Sequence, residues 1–211
     1  LTPALLLAER AGLLDAADGA LGAELADALT AAAHSCRPAA DSVVNPAKSL
    51  ALDLLPALPV MVTNSAIGML AARRLGDALG RLAGLPAVRG LLPRDLERMA
   101  AYCSGPFTPS AHERDLFRDR TEDTARAVRL VMIRDRGTES PAATVALREL
   151  LARAEHAGIA VSDLPGRGAH SDVPGGGSDD GGTPLERLAI RSVVADFTAV
   201  YLALAQDPAA R

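Results

Sequence analysis

The loop Thr63-Asn64-Ser65 is where residue types and spacing most clearly suggest a site. It follows an apolar run over residues 59–62 and precedes an Ala-rich stretch over residues 66–82. A run that is apolar without alternation is typical of a buried parallel strand. Where such a strand ends and a helix begins, free backbone N–H groups and the helix dipole favour an anion. We therefore predict that Thr63, Asn64 and Ser65 bind substrate, through a phosphate or a sugar hydroxyl.

The same three residues also have a purely structural interpretation. Threonine, asparagine and serine are all favoured helix N-caps, so the loop could serve only to start the helix. No Gly-rich phosphate motif accompanies it, and the glycines at residues 175–177 are not followed by the lysine of a nucleotide P-loop. Both interpretations stay open at the level of sequence.

Residues suited to metal, redox or acid–base chemistry are scattered. No histidine has a potential metal-ligand partner three or four residues away, so we predict neither metal nor cofactor. Cys36 and Cys103 show no metal or redox spacing and are predicted to be free, buried thiols in a reducing cytoplasm. Asp95 and Glu97 could act as acid or base, although acids near a helix start often interact with the dipole.

Composition narrows the classes of protein that fit. The sequence has 211 residues, 49% hydrophobic and only 2% aromatic, with a formal net charge of −4. An acidic balance argues against a nucleic-acid partner. We see no apolar run long enough to span a membrane and no signal peptide, so a cytoplasmic protein without a membrane partner is expected. The sequence begins with leucine, which suggests a piece of a longer polypeptide.

Strands and helices alternate along the chain. Strands are predicted at residues 59–62, 87–91, 127–133 and 159–164. Helices are predicted at residues 1–14, 20–36, 45–55, 66–82, 93–103, 141–156 and 184–206. Polar loops are predicted at residues 105–123 and 165–182. This order specifies an α/β fold, a doubly wound three-layer αβα sandwich with a mainly parallel sheet, preceded by N-terminal helices. We place a helical segment at residues 1–44 and the α/β domain at residues 45–211.

Three segments together resemble one family. They are Asn45-Pro46-Ala47-Lys48-Ser49-Leu50-Ala51, the Ala71-Ala72-Arg73 helix, and the ending from Pro184-Leu185-Glu186-Arg187 to Asp196-Phe197-Thr198-Ala199-Val200-Tyr201. Cys36-Arg37-Pro38 also fits. The chain resembles sugar isomerase (SIS) proteins of the bifunctional phosphoglucose/phosphomannose isomerase type, in particular an actinobacterial mannose-6-phosphate isomerase-like branch. The resemblance covers only the second half of a family member.

The resemblance implies a fold, a reaction and an assembly. Family members have two SIS subdomains, each a parallel sheet flanked by helices, and usually form dimers. Their reaction interconverts glucose 6-phosphate or mannose 6-phosphate with the ketose through an enediol. A glutamate base and a histidine move the proton, without a metal. Residues 1–14 would be the last helix of the first subdomain, and either a second copy of the chain or the chain's own sheet could cover its apolar face. A sugar phosphate and a homodimer partner are therefore expected.

The sequence departs from the family pattern at both acid–base positions. The family glutamate lies in an Asn-Glu-Asn-Ala-Lys run before a proline, and the corresponding run at residues 80–84 puts Arg81 there. The family histidine follows a Leu-Pro-Glu, and the segment at residues 92–97 puts Glu97 there. Arginine stays protonated in proteins and cannot act as a base.

Two functions follow as expectations. The first is a sugar-phosphate isomerase-like SIS domain whose catalytic positions, Glu97 and Arg81, are both substituted. The alternative is a non-catalytic SIS module that binds sugar phosphate or serves in dimerisation. The sequence leaves open whether the chain is an enzyme, because its family is enzymatic while its acid–base pair is replaced.

Overall fold

A four-stranded, all-parallel sheet forms the centre of the computed structural model, which describes residues 20–109, 126–135, 140–165 and 182–206. The strands are β1 (Ala57–Thr63), β2 (Val88–Leu91), β3 (Ala127–Ile133) and β4 (Val161–Asp163), in the order β2-β1-β3-β4. The predicted doubly wound parallel fold is confirmed.

Six helices accompany these strands in the described ranges. They are α1 (Ala20–Ser35), α2 (Pro46–Leu54), α3 (Ala66–Ala83), α4 (Leu96–Ala101), α5 (Pro141–His156) and α6 (Pro184–Gln206). Ser140 caps α5 as predicted, with its hydroxyl accepting the Ala143 amide at 3.1 Å. The helix predicted at residues 1–14 lies outside the described residues, as do most of the two predicted loops.

Pairing with neighbours explains where the strands differ from prediction. β1 is longer than the predicted 59–62 because it pairs with β3 from Ala57 to Thr63. β4 is shorter than the predicted 159–164 because it pairs with β3 over three residues only. Helix α4 is shorter than the predicted 93–103, because the Asp95 carboxylate accepts the Leu91 amide at 2.8 Å and holds a turn before the helix.

Helices on the two faces of the sheet bury separate hydrophobic clusters. Met61, Val131 and Ile133 face α2, α3 and α6. Val60, Val62, Leu130 and Met132 face α4 and α5. Alternation of side chains along each strand produces this division. Since α3 follows β1 on one face and α5 follows β3 on the other, the chain leaves the middle of the sheet in opposite directions. The carboxyl ends of β1 and β3 therefore form a topological switch point, where open α/β sheets bind ligands.

Helix α6 spans this architecture and packs against α1, α2 and α3. By length and composition it could cross a membrane, so our expectation that no stretch is long enough was wrong. Its buried face includes Arg187 and Arg191, which are 6% and 1% exposed. Contacts with three helices and several buried charged side chains are features of a core helix.

Asn45 ties α2 to the segment before it. It is fully buried, and its side-chain oxygen accepts the amides of Ala47 and Lys48 at 3.1 and 3.0 Å. Its side-chain nitrogen donates to the Arg37 carbonyl at 3.1 Å. The predicted N-cap is thus confirmed, and the same side chain also fixes the turn after α1.

Lys48 connects the segment between α1 and α2 to α6. Its ammonium donates to the carbonyls of Pro38 and Ala40 at 2.7 and 2.9 Å and lies 5.6 Å from the centre of the Tyr201 ring. The Tyr201 hydroxyl donates to the Cys36 carbonyl at 2.5 Å. The segment between α1 and α2 is therefore held to the last helix by one ammonium and one phenol.

Gly68 sets how closely α3 approaches the sheet. A Cβ atom at this position would lie 1.8 Å from Thr63 Oγ1 and 3.0 Å from the Ile133 carbonyl oxygen. Both contacts involve the ends of β1 and β3, so the first turn of α3 sits directly on the switch point.

We expect Gly68→Ala to lower the free energy of unfolding by about 1–3 kcal/mol, because the added methyl must displace the helix or Thr63. The matched control is Gly80→Ala in the same helix, where a Cβ meets nothing within 4 Å. That change should stabilise by about 0.5–1 kcal/mol. Urea unfolding of both variants measures the difference, and equal stability would contradict the close approach.

Candidate functional site

Two of the three predicted loop residues stabilise the start of α3. The Ser65 hydroxyl accepts the Gly68 amide at 2.9 Å, which makes Ser65 the N-cap. The Thr63 hydroxyl accepts the Ser65 amide at 3.4 Å. Both residues are buried, at 1% for Thr63 and 8% for Ser65. Their hydroxyls thus have the structural role that the sequence left open, and their binding of substrate stays a prediction.

Asn64 joins the loops at the two sides of the switch point. Its side-chain nitrogen donates to the Asp135 carbonyl at 3.1 Å, and its side-chain oxygen accepts the Asp135 amide at 2.8 Å. This reciprocal pair fixes the backbone just after β3 against the backbone just after β1. We call the two hydrogen bonds the Asn64–Asp135 clamp.

Buried charges lie beside this clamp. The Asp135 side chain is fully buried, and its Oδ1 is 3.2 Å from Nε of Arg187, whose side chain is 7% exposed. Arg191, one helical turn further along α6, donates to the Arg134 carbonyl. Both arginines are thereby held at the carboxyl end of β3. Together Asp135, Arg187 and Arg191 form what we call the switch-point cluster.

Hydrogen bonds at the start of α6 fix the first turn of the helix, which carries Arg187. The Thr183 hydroxyl accepts the Glu186 amide at 3.2 Å, and the Glu186 carboxylate accepts the Thr183 amide at 2.6 Å. This reciprocal arrangement is a capping box and confirms Thr183 as the predicted cap. Arg187 also donates to the Gly182 carbonyl at 2.8 Å. The positive end of a 23-residue helix therefore lies near the switch point.

The switch-point cluster is suited to binding an anion. Arginine presents a planar fork of donors that matches phosphate and carboxylate, and it stays charged when buried. A helix N-terminus adds backbone N–H groups and a favourable dipole. No group of three or more His, Cys, Asp or Glu able to hold a metal occurs in the ranges that the structure describes.

The two positions inferred from the family pattern lie away from the cluster. Arg81 is in the last turn of α3, whose first turn is at the switch point, and an 18-residue helix is about 27 Å long. Glu97, on α4, has an 82% exposed side chain, 3.6 Å from the Arg153 guanidinium. The structure thus brings neither residue to the Thr63-Asn64-Ser65 loop.

The contacts of Asp95, the other acid considered from the sequence, indicate a structural role. Its carboxylate accepts the Leu91 amide and lies 3.2 and 3.3 Å from the guanidinium groups of Arg94 and Arg98. The backbone hydrogen bond, followed by the one from Arg94, lowers the pKa of Asp95. A carboxylate that stays ionised at neutral pH is poorly suited to donate a proton.

Cys36 and Cys103 are both free and buried, as predicted. Burial raises the pKa of each thiol, so neither is a reactive thiolate at neutral pH.

Our sequence reasoning missed the residues of the switch-point cluster. A signal was present for Asp135, because it follows a clear strand at the same sheet edge as Thr63. A weaker one was present for Arg187 and Arg191, which are four residues apart and so share one helix face. The sequence alone did not show that this face is buried.

Comparison with known proteins identifies similar chains. A family model described as "Bacterial phospho-glucose isomerase C-terminal SIS domain" matches residues 43–209. Among solved structures, the chain is similar to a glucose-6-phosphate isomerase like protein from Thermus thermophilus, at 17% identity and a TM-score of 0.59. The match covers 88% of this chain and 50% of that one, so this chain spans about half the length of that protein. At this identity the likeness concerns the fold. No curated protein matches the sequence.

We expect Asn64→Ala to lower the free energy of unfolding by about 1–3 kcal/mol, because it removes both hydrogen bonds of the Asn64–Asp135 clamp and leaves buried backbone groups without them. Ser42→Ala, at an exposed position, is the control and should change stability by less than about 0.5 kcal/mol. Chemical denaturation followed by circular dichroism provides the comparison. If both variants unfold at the same denaturant concentration, the clamp contributes nothing to stability.

Proposed function

We propose that this chain binds a sugar phosphate at the switch point between β1 and β3. The chain belongs to the family of the bacterial phospho-glucose isomerase C-terminal SIS domain. The observation that carries this proposal is the burial of Arg187 and Arg191 beside the loops that follow the two central strands. The family supplies the expectation of a sugar phosphate, and the cluster supplies a place for its anionic end.

The charges near the switch point support an anionic ligand. Among the described residues near the switch point, Arg134, Arg187 and Arg191 are positively charged and Asp135 and Glu186 are negatively charged, and the positive end of the α6 dipole adds to the attraction for an anion. A phosphate monoester carries about −1.5 to −2 at neutral pH. Burial strengthens its attraction to arginine, since water screens such contacts less inside a protein.

We further propose that this chain alone does not catalyse isomerisation. Moving a proton between adjacent carbons requires a base positioned at the substrate and a second proton-transfer group. Arg81 cannot be that base, and it lies in the last turn of α3, far from the switch point. Glu97 is exposed and interacts with Arg153. Both placements favour the non-catalytic module over the enzyme.

Ligand binding provides the direct test. Glucose 6-phosphate, mannose 6-phosphate and fructose 6-phosphate should raise the melting temperature, because a ligand that binds only the folded state stabilises it by mass action. Arg191→Lys should weaken binding by about tenfold or more, since lysine keeps the charge but loses the bidentate geometry. Arg81→Lys, at an exposed position, is the matched control and should bind like the unchanged protein.

Two results would count against this proposal. The absence of stabilisation by any of the three sugar phosphates would refute binding. Interconversion of fructose 6-phosphate and mannose 6-phosphate above background in a coupled assay would refute the non-catalytic assignment.

The assembly and the limits of the domain belong to the same proposal. We propose that the SIS-like domain occupies residues 45–211, follows a helical segment at residues 1–44, and acts in the cytoplasm as a homodimer. The apolar pattern at residues 1–14 supports the homodimer, because a second copy could cover it. Light scattering of the purified chain should give twice the monomer mass, and a monomer would contradict this assembly.

A further inference from the structure

Asp135 has an unusual environment for a buried carboxylate. The residue is 0% exposed, and neither of its side-chain oxygens accepts a hydrogen bond in the part of the chain that the structure describes. Its one described ionic contact is the 3.2 Å approach of Arg187 Nε to Oδ1. A carboxylate can accept about four hydrogen bonds, so most of its capacity is unused.

The position of this carboxylate is fixed by the fold. The backbone N–H and carbonyl of Asp135 both bind the Asn64 side chain, and Asn64 lies directly before the cap of α3. Because both main-chain groups of Asp135 are fixed in this way, its side chain is held at the switch point. Buried polar atoms without hydrogen bonds are rare, and they commonly mark a functional group or a bound molecule.

The surroundings of Asp135 indicate which kind of hydrogen-bond donor would satisfy its carboxylate oxygens. Arg187 already provides a positive charge, so a neutral donor is enough. The arginines of the switch-point cluster favour an anion close by. A molecule that carries both an anionic group and hydroxyl groups satisfies both requirements at once, whereas inorganic sulfate, which carries no hydrogen to donate at neutral pH, satisfies the arginines alone.

We propose that Asp135 accepts a hydrogen bond from a hydroxyl group of the ligand whose phosphate the arginines bind, and so selects a hydroxylated phosphate over an anion that has no hydrogen-bond donor. This inference rests on the proposed function and adds a specificity-determining residue to it. A hydrogen bond to a buried carboxylate is charge-assisted, and such bonds are about twice as strong as neutral ones.

Two probes, glucose 6-phosphate and inorganic sulfate, measured by calorimetry on the whole chain, test the proposal. The unchanged protein should bind glucose 6-phosphate more tightly. Asp135→Asn should weaken that binding by about tenfold or more. Its affinity for sulfate should be unchanged or higher, because a negative charge is removed. The ratio of the two affinities should therefore fall, which a merely structural role of Asp135 would not produce.

Asp53→Asn is the matched control. Asp53 Oδ1 lies 2.9 Å from Arg129 Nη2, and its Oδ2 accepts the Ser162 hydroxyl at 2.6 Å, near the amino end of β1. The same substitution there also removes an aspartate–arginine pair, but away from the switch point. Its affinity ratio should equal that of the unchanged protein.

Asp135→Glu is a second variant that keeps the negative charge if Asp135→Asn does not fold. It displaces the carboxylate by one methylene and should likewise lower the affinity ratio. If the affinity ratio is unchanged in both Asp135 variants, the inference is overturned while sugar-phosphate binding stands. A buried water would then be the hydrogen-bond donor to Asp135. Failure of the unchanged protein to bind glucose 6-phosphate would overturn the inference together with the proposed function.

Discussion

The contact between Arg187 and the buried carboxylate of Asp135 is the interaction on which the centre of this molecule depends. Removing two charges from water costs several kcal/mol per ion, and the attraction between them often only balances that cost. A buried pair is therefore weak grounds for stability and needs another explanation. Here it joins the first turn of α6 to the end of β3, while Asn64 joins the same residue to β1. One aspartate thus connects the last helix to both central strands.

Several of the residues on which the resemblance to the family rests have a structural role away from the switch-point cluster. Asn45, Lys48 and Tyr201 are among the most specific positions of the resemblance, and all three take part in the contacts that fix the segment between α1 and α2. They determine how this segment packs within the fold. The switch-point cluster lies at the opposite end of α6, and of its three members Arg187 alone belongs to a segment of the resemblance. The contacts that fix the segment after α1 and the candidate site therefore lie at opposite ends of the same helix.

Prediction from sequence succeeded where the signal is local. The bounds of β3 and α5 follow from an uninterrupted apolar run and from a serine cap before a proline, and the structure reproduces both. The site depends instead on distant contacts: Asn64 and Asp135 are 71 positions apart. An arginine on a long helix usually lies in solvent, and only the packing of α6 against three helices buries Arg191. Arg81 and Glu97 were predicted from the resemblance to a family pattern, and such a pattern contains no information about their distance from the switch point.

Lys48 is the single lysine of this sequence. Its ammonium is engaged by two backbone carbonyls and faces an aromatic ring. Every reagent or enzyme that modifies lysine side chains, whether by acylation, methylation or crosslinking, therefore has one target here, and that target is structural. Acylation would neutralise the ammonium and remove its interaction with the carbonyls of Pro38 and Ala40 and with Tyr201. Lysine chemistry on this protein would thus report on the attachment of the segment between α1 and α2 to the last helix, rather than on surface accessibility.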